Sequence, residues 1–114
     1  MERDPEIFPD DVNGNVLWKM QQDGDDLSKA REIEFTVIFA TEDDALGFGE
    51  TLLVNRQKIL LSNNDENTEH PFELVAYVYM EPTHEELSAY EDLLTLHSKP
   101  FNGHNDGWGC FVQK

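Results

Sequence analysis

The sequence contains little that could cross-link the chain or hold it in a membrane. Among its 114 residues there is one cysteine, Cys110, which excludes an intrachain disulfide and indicates a reducing compartment. No run approaches the roughly 18 consecutive apolar residues that a membrane helix needs. The first residues also lack the apolar region of a signal peptide. We therefore expect a cytoplasmic protein without a membrane partner.

Basic residues are also scarce. The chain has 8 Lys and Arg against 24 Asp and Glu, a formal net charge of −16, and residues 59–98 include nine acids and no base. Such a field repels nucleic-acid phosphates and anionic lipid, and it attracts basic partners. We expect a basic protein segment as partner and no direct nucleic-acid binding. An acidic surface that only keeps the protein soluble explains the same composition.

Support for a metal site or a catalytic site is weak. The four histidines form no HxH or HxxxH pair and no CxxC is present, so zinc is not expected. Residues 102–113 are spaced like a calcium loop, but Gln113 stands where a bidentate Glu is required. An enzyme that uses His104 and Cys110 is a weaker alternative, because Cys110 falls in a predicted strand, where a packed structural thiol is favoured. We expect no cofactor.

Most of the chain alternates between helical and strand patterns. Residues 1–9 are charged and proline-punctuated and are expected to be flexible, and residues 10–114 are expected to form a single domain. A helix capped by Asp10 or Asp11 comes first, and the strand patterns cover residues 31–40, 58–62, 72–80 and 108–112. Two further helices begin after Thr41 and Thr83, each of which starts a capping box or a close variant.

This order predicts an α+β fold of the ferredoxin-like type. After the extra N-terminal helix, the elements follow as βαββαβ, the order of a ferredoxin-like α/β sandwich with an antiparallel sheet. Right-handed crossovers place the two later helices on one face of the sheet. We expect the N-terminal helix to shield part of the other face, which carries Tyr77 and Tyr79.

Two segments suggest a binding surface. Asp23, Asp25 and Asp26 follow the first helix, where negative charge opposes the helix dipole and so indicates a role other than stability. Near the C-terminus, Asp106-Gly107 predicts a turn that leads into a strand at Trp108. Trp108 is either a core anchor or an exposed aromatic contact.

The same stretches carry a family resemblance. Asn-Asp-Gly-Trp-Gly-Cys-Phe at 105–111, Asp-Gly-Asp-Asp at 23–26, Ile-Glu-Phe at 33–35 and Glu-Asp-Asp-Ala at 42–45 resemble the regulator of ribonuclease E activity B family. The resemblance extends over about residues 10 to 113. It implies a ferredoxin-like sandwich without enzymatic activity that binds the endoribonuclease and lowers its activity, in agreement with a basic partner segment in the nuclease's noncatalytic region.

The partner-binding residues are a hypothesis drawn from these segments. They are Asp23, Asp25, Asp26, Asp106, Gly107, Trp108 and Gly109. The alternative function is that of a ferredoxin-like ligand-binding domain with no nuclease partner. The sequence does not indicate the oligomeric state.

Overall fold

A computed structural model describes residues 4–64, 66 and 68–110 of the chain. In this part the chain forms three α-helices and four strands, with a short 3₁₀ turn at Lys99–Phe101. In chain order they are α1 Val12–Gln22, β1 Arg31–Phe39, α2 Glu42–Val54, β2 Lys58–Asn63, β3 Phe72–Met80, α3 His84–Ser98 and β4 His104–Gly109.

The strands form one open antiparallel sheet in the order β2-β3-β1-β4. β1 lies inside the sheet and pairs with β3 over its whole length, from Arg31 opposite Met80 to Phe39 opposite Phe72. The predicted combination of helices with an antiparallel sheet is therefore confirmed.

Each helix begins where a side chain can cap it. The side chains of Asp11, Thr41 and Thr83 accept hydrogen bonds from the backbone N–H groups of Gly14, Asp44 and Glu86. A cap of this kind stabilises a helix by about 1 kcal/mol.

The core lies on one face of the sheet, beneath α2 and α3. Alternate residues of β1 point into it, and Ile33, Phe35 and Val37 are fully buried. Phe48 of α2 and Leu87 of α3 cover them and are also fully buried. Burying a side chain of this size contributes about 1.5–3 kcal/mol, so this face holds most of the hydrophobic stabilisation.

The expected position of α1 is wrong. α1 packs against α3, on the side of the sheet that already carries the helices, and its Leu17 is only 1% exposed. On the opposite face Tyr79 remains 74% exposed and Leu60 53% exposed. α1 lies there for two reasons: Leu17 is buried at this position, and the side chain of Asn13 forms hydrogen bonds with residues of α3 and β4.

The residues before α1 fold back onto it. Phe8 is 4% exposed and its ring centroid lies 5.3 Å from that of Trp18. Gly14 makes this return possible, since a Cβ added at that position would lie 1.8 Å from the carbonyl oxygen of Pro9. The division between a flexible segment at 1–9 and a domain at 10–114 stays a prediction.

β4 differs from the predicted final strand. It begins at His104 rather than Trp108, and the Asp106-Gly107 pair lies inside it instead of forming a turn before it. Val37 pairs with Asn105 and Phe35 with Trp108, so β4 contains one residue more than β1 and forms a β-bulge there. Gly107 has a φ of 92°, which allows the bulge without strain. The part of that prediction at 111–112 lies outside the described residues.

Candidate functional site

The indole of Trp108 is held by a residue at the other end of the chain. Trp108 is half-buried and packs against the core, and its Nε1 donates a hydrogen bond of 2.9 Å to Oδ1 of Asn13. This bond joins β4 to the first turn of α1. Trp108 thus has a core-anchoring role, while one side of it borders a groove.

Glu91 of α3 accepts two amide hydrogen bonds at the same place. Asn13 Nδ2 donates to Glu91 Oε1 at 2.7 Å, and Asn105 Nδ2 donates to Glu91 Oε2 at 2.8 Å. Asn105 Oδ1 in turn accepts a bond from the N–H of Gly107. The four residues Asn13, Glu91, Asn105 and Trp108 form one network, called the amide network below, that fixes α1, α3 and β4 to each other.

A groove of about 530 Å³ lies over the amide network. Its lining includes the exposed apolar residues Val12 and Val16, the indole of Trp108, and the carboxylates of Asp11 and Glu91. Asp11 Oδ2 also lies 2.7 Å from His84 Nε2. This Trp108 groove therefore combines an aromatic surface with negative charge, a combination that suits Lys or Arg side chains.

The predicted acidic loop follows the other end of α1. Asp25 is 4% exposed, and its Oδ2 lies 2.7 Å from Nη1 of Arg31, which is equally buried. Arg31 Nη2 also donates to the carbonyl oxygens of Asp26 and Lys29. Arg31 thus holds the loop around its guanidinium, and the carboxylate of Asp25 faces inward.

The neighbouring carboxylates face the solvent. Asp23 is the C-cap residue of α1, and its exposed carboxylate lies 3.3 Å from Nζ of Lys19. Asp26 is exposed and accepts hydrogen bonds from the hydroxyl and the N–H of Ser28. These bonds lower the pKa of the Asp26 carboxyl below its usual value. Asp23 and Asp26 are therefore both accessible to a partner.

β4 extends from the groove towards this loop. Asp106, which is exposed, and Gly107 lie at the groove end, and Gly109 pairs with Glu34 of β1. The thiol of the next residue, Cys110, is within hydrogen-bonding reach of the guanidinium of Arg31. β4 therefore runs from the groove, at the first turn of α1, to Arg31, which holds the acidic loop after the last turn of that helix.

The sequence interpretation missed three members of the site: Asn13, Glu91 and Asn105. One signal was available, because Asn-Gly-Asn in the first turn of a helix is unfavourable unless a side chain has a specific partner. No signal marks Glu91, since its partners come from residues 78 positions earlier and 14 positions later in the chain.

A comparison with protein families shows which family the chain belongs to. The model of the family described as Regulator of ribonuclease activity B matches residues 10–110. The chain belongs to this family. The match covers α1, the sheet and the amide network, so every predicted site residue lies within it. A search of curated proteins gave no match.

Within residues 4–64, 66 and 68–110, no helix has the length and apolar character required to cross a membrane. In the same part of the chain, no three His, Cys, Asp or Glu side chains are grouped as metal ligands would be.

Proposed function

We propose that the protein is a non-enzymatic regulator that binds a basic segment of a ribonuclease E-type nuclease and lowers its activity. The Trp108 groove is the observation that carries this proposal. It places the indole of Trp108, which lies in the family motif at 105–111, beside the carboxylates of Asp11 and Glu91. The segment that it accepts belongs to the noncatalytic region of the nuclease.

The charge of the molecule supports a basic partner. A net charge of −16 attracts an Arg- and Lys-rich segment over a distance of about 10 Å at 0.1 M salt. We take the groove and the exposed carboxylates of Asp23 and Asp26 as one binding edge, because β4 runs from the groove to Arg31, which holds their loop. A segment that follows α1 meets negative charge at both ends and the indole of Trp108 at one end.

The rigidity of the site also supports binding. Because both carboxylate oxygens of Glu91 are already oriented by amide donors, the groove requires little reorganisation when a cation enters. The Trp108 ring is fixed in the same way through Nε1.

The proposal also covers the fold class and the cellular location of the protein. We propose a cytoplasmic location and a ferredoxin-like class for the fold. The single cysteine supports the first proposal, and the βαββαβ element order with the sheet order β2-β3-β1-β4 supports the second.

The test is binding to purified fragments of ribonuclease E by calorimetry at low and high salt. We expect the noncatalytic region to bind at low salt, the catalytic region not to bind, and the affinity to fall steeply as salt increases. Absence of binding at low salt would mean that the family fold is kept here for another partner, such as a small ligand.

A matched pair of variants locates the site. Asp23→Lys with Asp106→Lys reverses two exposed charges on the proposed edge, and Asp43→Lys with Glu50→Lys makes the same change in net charge on α2. We expect the first pair to weaken binding at least about tenfold more than the second. Equal losses would show that net charge alone, and not this edge, attracts the segment.

A further inference from the structure

β2 is an edge of the sheet. It pairs with β3 on one side, and no described strand pairs with its other side. Its central residues are Ile59, Leu60 and Leu61, and Leu60 and Leu61 are 53% and 39% exposed. An edge strand presents unpaired N–H and C=O groups in a row, and an apolar one is a template for pairing with another strand.

An apolar flank of α2 extends this edge. Leu46 and Leu53 lie seven residues apart on one side of the helix and are 47% and 59% exposed. A cavity of about 250 Å³ lies between Leu46 and Leu61, so this side of α2 faces β2. β2 together with Leu46 and Leu53 is called the β2 edge below.

β2 and the residues just before it carry no negative charge. Residues 51–64 contain no Asp or Glu and include Arg56 and Lys58, although the whole chain has a net charge of −16. Two copies repel each other over most of their surfaces. Within β2 no carboxylate opposes a second copy, although Glu42 and Glu73 line the cavity beside Leu46.

We propose that the β2 edge pairs antiparallel with the β2 edge of a second copy, so that two sheets join into one. Residues that pair across two antiparallel strands lie on the same face of the sheet, and successive residues of a strand lie on opposite faces. The two-fold axis of the dimer must therefore pass beside one residue, which pairs with its own copy. An axis at Leu61 places the two Leu61 side chains together on the helix-covered face, beside Leu46 and Leu53 of both copies. It also brings the turn that carries Arg56, before β2, towards the loop that carries Glu66, after β2, in the other copy.

The charge at the two ends of β2 favours a second copy over an unrelated strand. Lys58, which pairs with Glu32, is the first residue of β2, Arg56 lies in the turn before it, and Glu66 is exposed in the loop that follows the strand. Antiparallel self-pairing brings the basic end of each strand to the acidic loop of the other. The pairing does not depend on the nuclease partner.

Sedimentation equilibrium over a range of protein concentrations tests the proposal. We expect a monomer–dimer equilibrium that shifts towards the dimer as salt increases, because salt screens the repulsion and leaves the apolar contact. The variant Leu46→Lys with Leu53→Lys is expected to raise the dimer Kd at least about tenfold.

The chain offers a matched control for this variant. Leu93 and Leu96 of α3 are 46% and 62% exposed, close to the values for Leu46 and Leu53. Leu93→Lys with Leu96→Lys adds the same charge and should leave the dimer Kd within about twofold of that of the unmodified protein. A purely monomeric protein at high salt, or equal effects of the two variants, would overturn the proposal.

A charge exchange tests the antiparallel register. Arg56→Glu brings two acids towards each other and should weaken the dimer, and adding Glu66→Arg should restore it. Failure of the second change to restore the dimer would exclude the axis at Leu61. Hydrogen exchange of β2 amides, slower at high protein concentration than at low, identifies the strand itself as the contact.

Discussion

At the scale of the residue, the buried pair of Arg31 and Asp25 has the largest expected effect on stability. Arg31→Met leaves the carboxylate of Asp25 buried without its cation and frees the carbonyl oxygens of Asp26 and Lys29. Removal of one partner of such a pair costs about 3–5 kcal/mol. Urea denaturation should therefore show a free energy of unfolding reduced by about that amount.

Two further variants separate the buried pair from ion pairs in general. Lys19→Ala breaks a pair whose side chains are 75% and 58% exposed, and it should change stability by less than about 1 kcal/mol. Arg31→Met combined with Asp25→Leu removes both charges and should cost less than the two single changes added together. Additive losses would contradict a direct coupling between these two residues.

The thiol of Cys110 provides a second prediction at this scale. Burial raises the pKa of the Cys110 thiol, although the nearby Arg31 opposes that shift. Because the thiolate is the form that reacts, the pH midpoint of alkylation should be higher in the folded protein than in the same protein in urea. A midpoint that is the same in both states would contradict the packed environment.

The pKa shift of Cys110 also gives stability a pH dependence. The folded state keeps the thiol proton to a higher pH than the unfolded state does. The protonated thiol therefore contributes to the free energy of unfolding. That contribution is fully present below the pKa of the unfolded state and is lost as the pH rises through the pKa of the folded state.

At the scale of the element, local sequence was sufficient to locate most helices and strands. β1 alternates apolar and polar residues, β3 is apolar on both faces over the length of one strand, and the Thr caps lie next to their helices, so pattern and capping specify these elements without help from the rest of the fold. The packing of α1 depends instead on Ser88, Glu91 and Trp108, all more than 70 residues away. Local patterns contain no information on such contacts.

The bulge in β4 shows a second limit of local reasoning. Asp-Gly is common in turns because it allows positive φ. The same property suits a β-bulge, so the pair alone does not show whether the chain reverses or continues as a strand. The choice is made by β1, which pairs on both sides of the bulge. The candidate site was therefore found in part, through Trp108, while its partners were missed.

The return of the N-terminal segment over α1 leads to a prediction for Gly14. Gly14→Ala places a methyl group where the Pro9 carbonyl oxygen now lies, and it should separate Pro9 and Phe8 from α1. We expect a loss of about 1–3 kcal/mol in the free energy of unfolding, measured by thermal denaturation. Gly109→Ala is the control, because a Cβ at Gly109 has no atom within 4 Å among the described residues. Equal losses for the two variants would contradict this account of Gly14.

At the scale of the whole molecule, charge rather than packing sets the dependence on solution conditions. With a net charge of −16 the folded chain repels itself, and salt screens that repulsion. We expect Tm to rise by several degrees between about 0.02 M and 0.3 M sodium chloride. The variant Asp43→Lys with Glu50→Lys reduces the net charge and should show a smaller rise. A Tm that falls with salt would mean that attractive ion pairs dominate.

The bond between Asn13 and Trp108 has a consequence for the chain during its synthesis. The two residues are 95 positions apart, and at 5–20 residues per second a ribosome needs about 5–20 s to pass from one to the other. Throughout that interval the nascent α1 lacks the strand that fixes its first turn, while the acidic loop after it is synthesised early. A binding partner or a chaperone present at that stage would meet the two ends of the binding edge in sequence, the carboxylates first and the indole last.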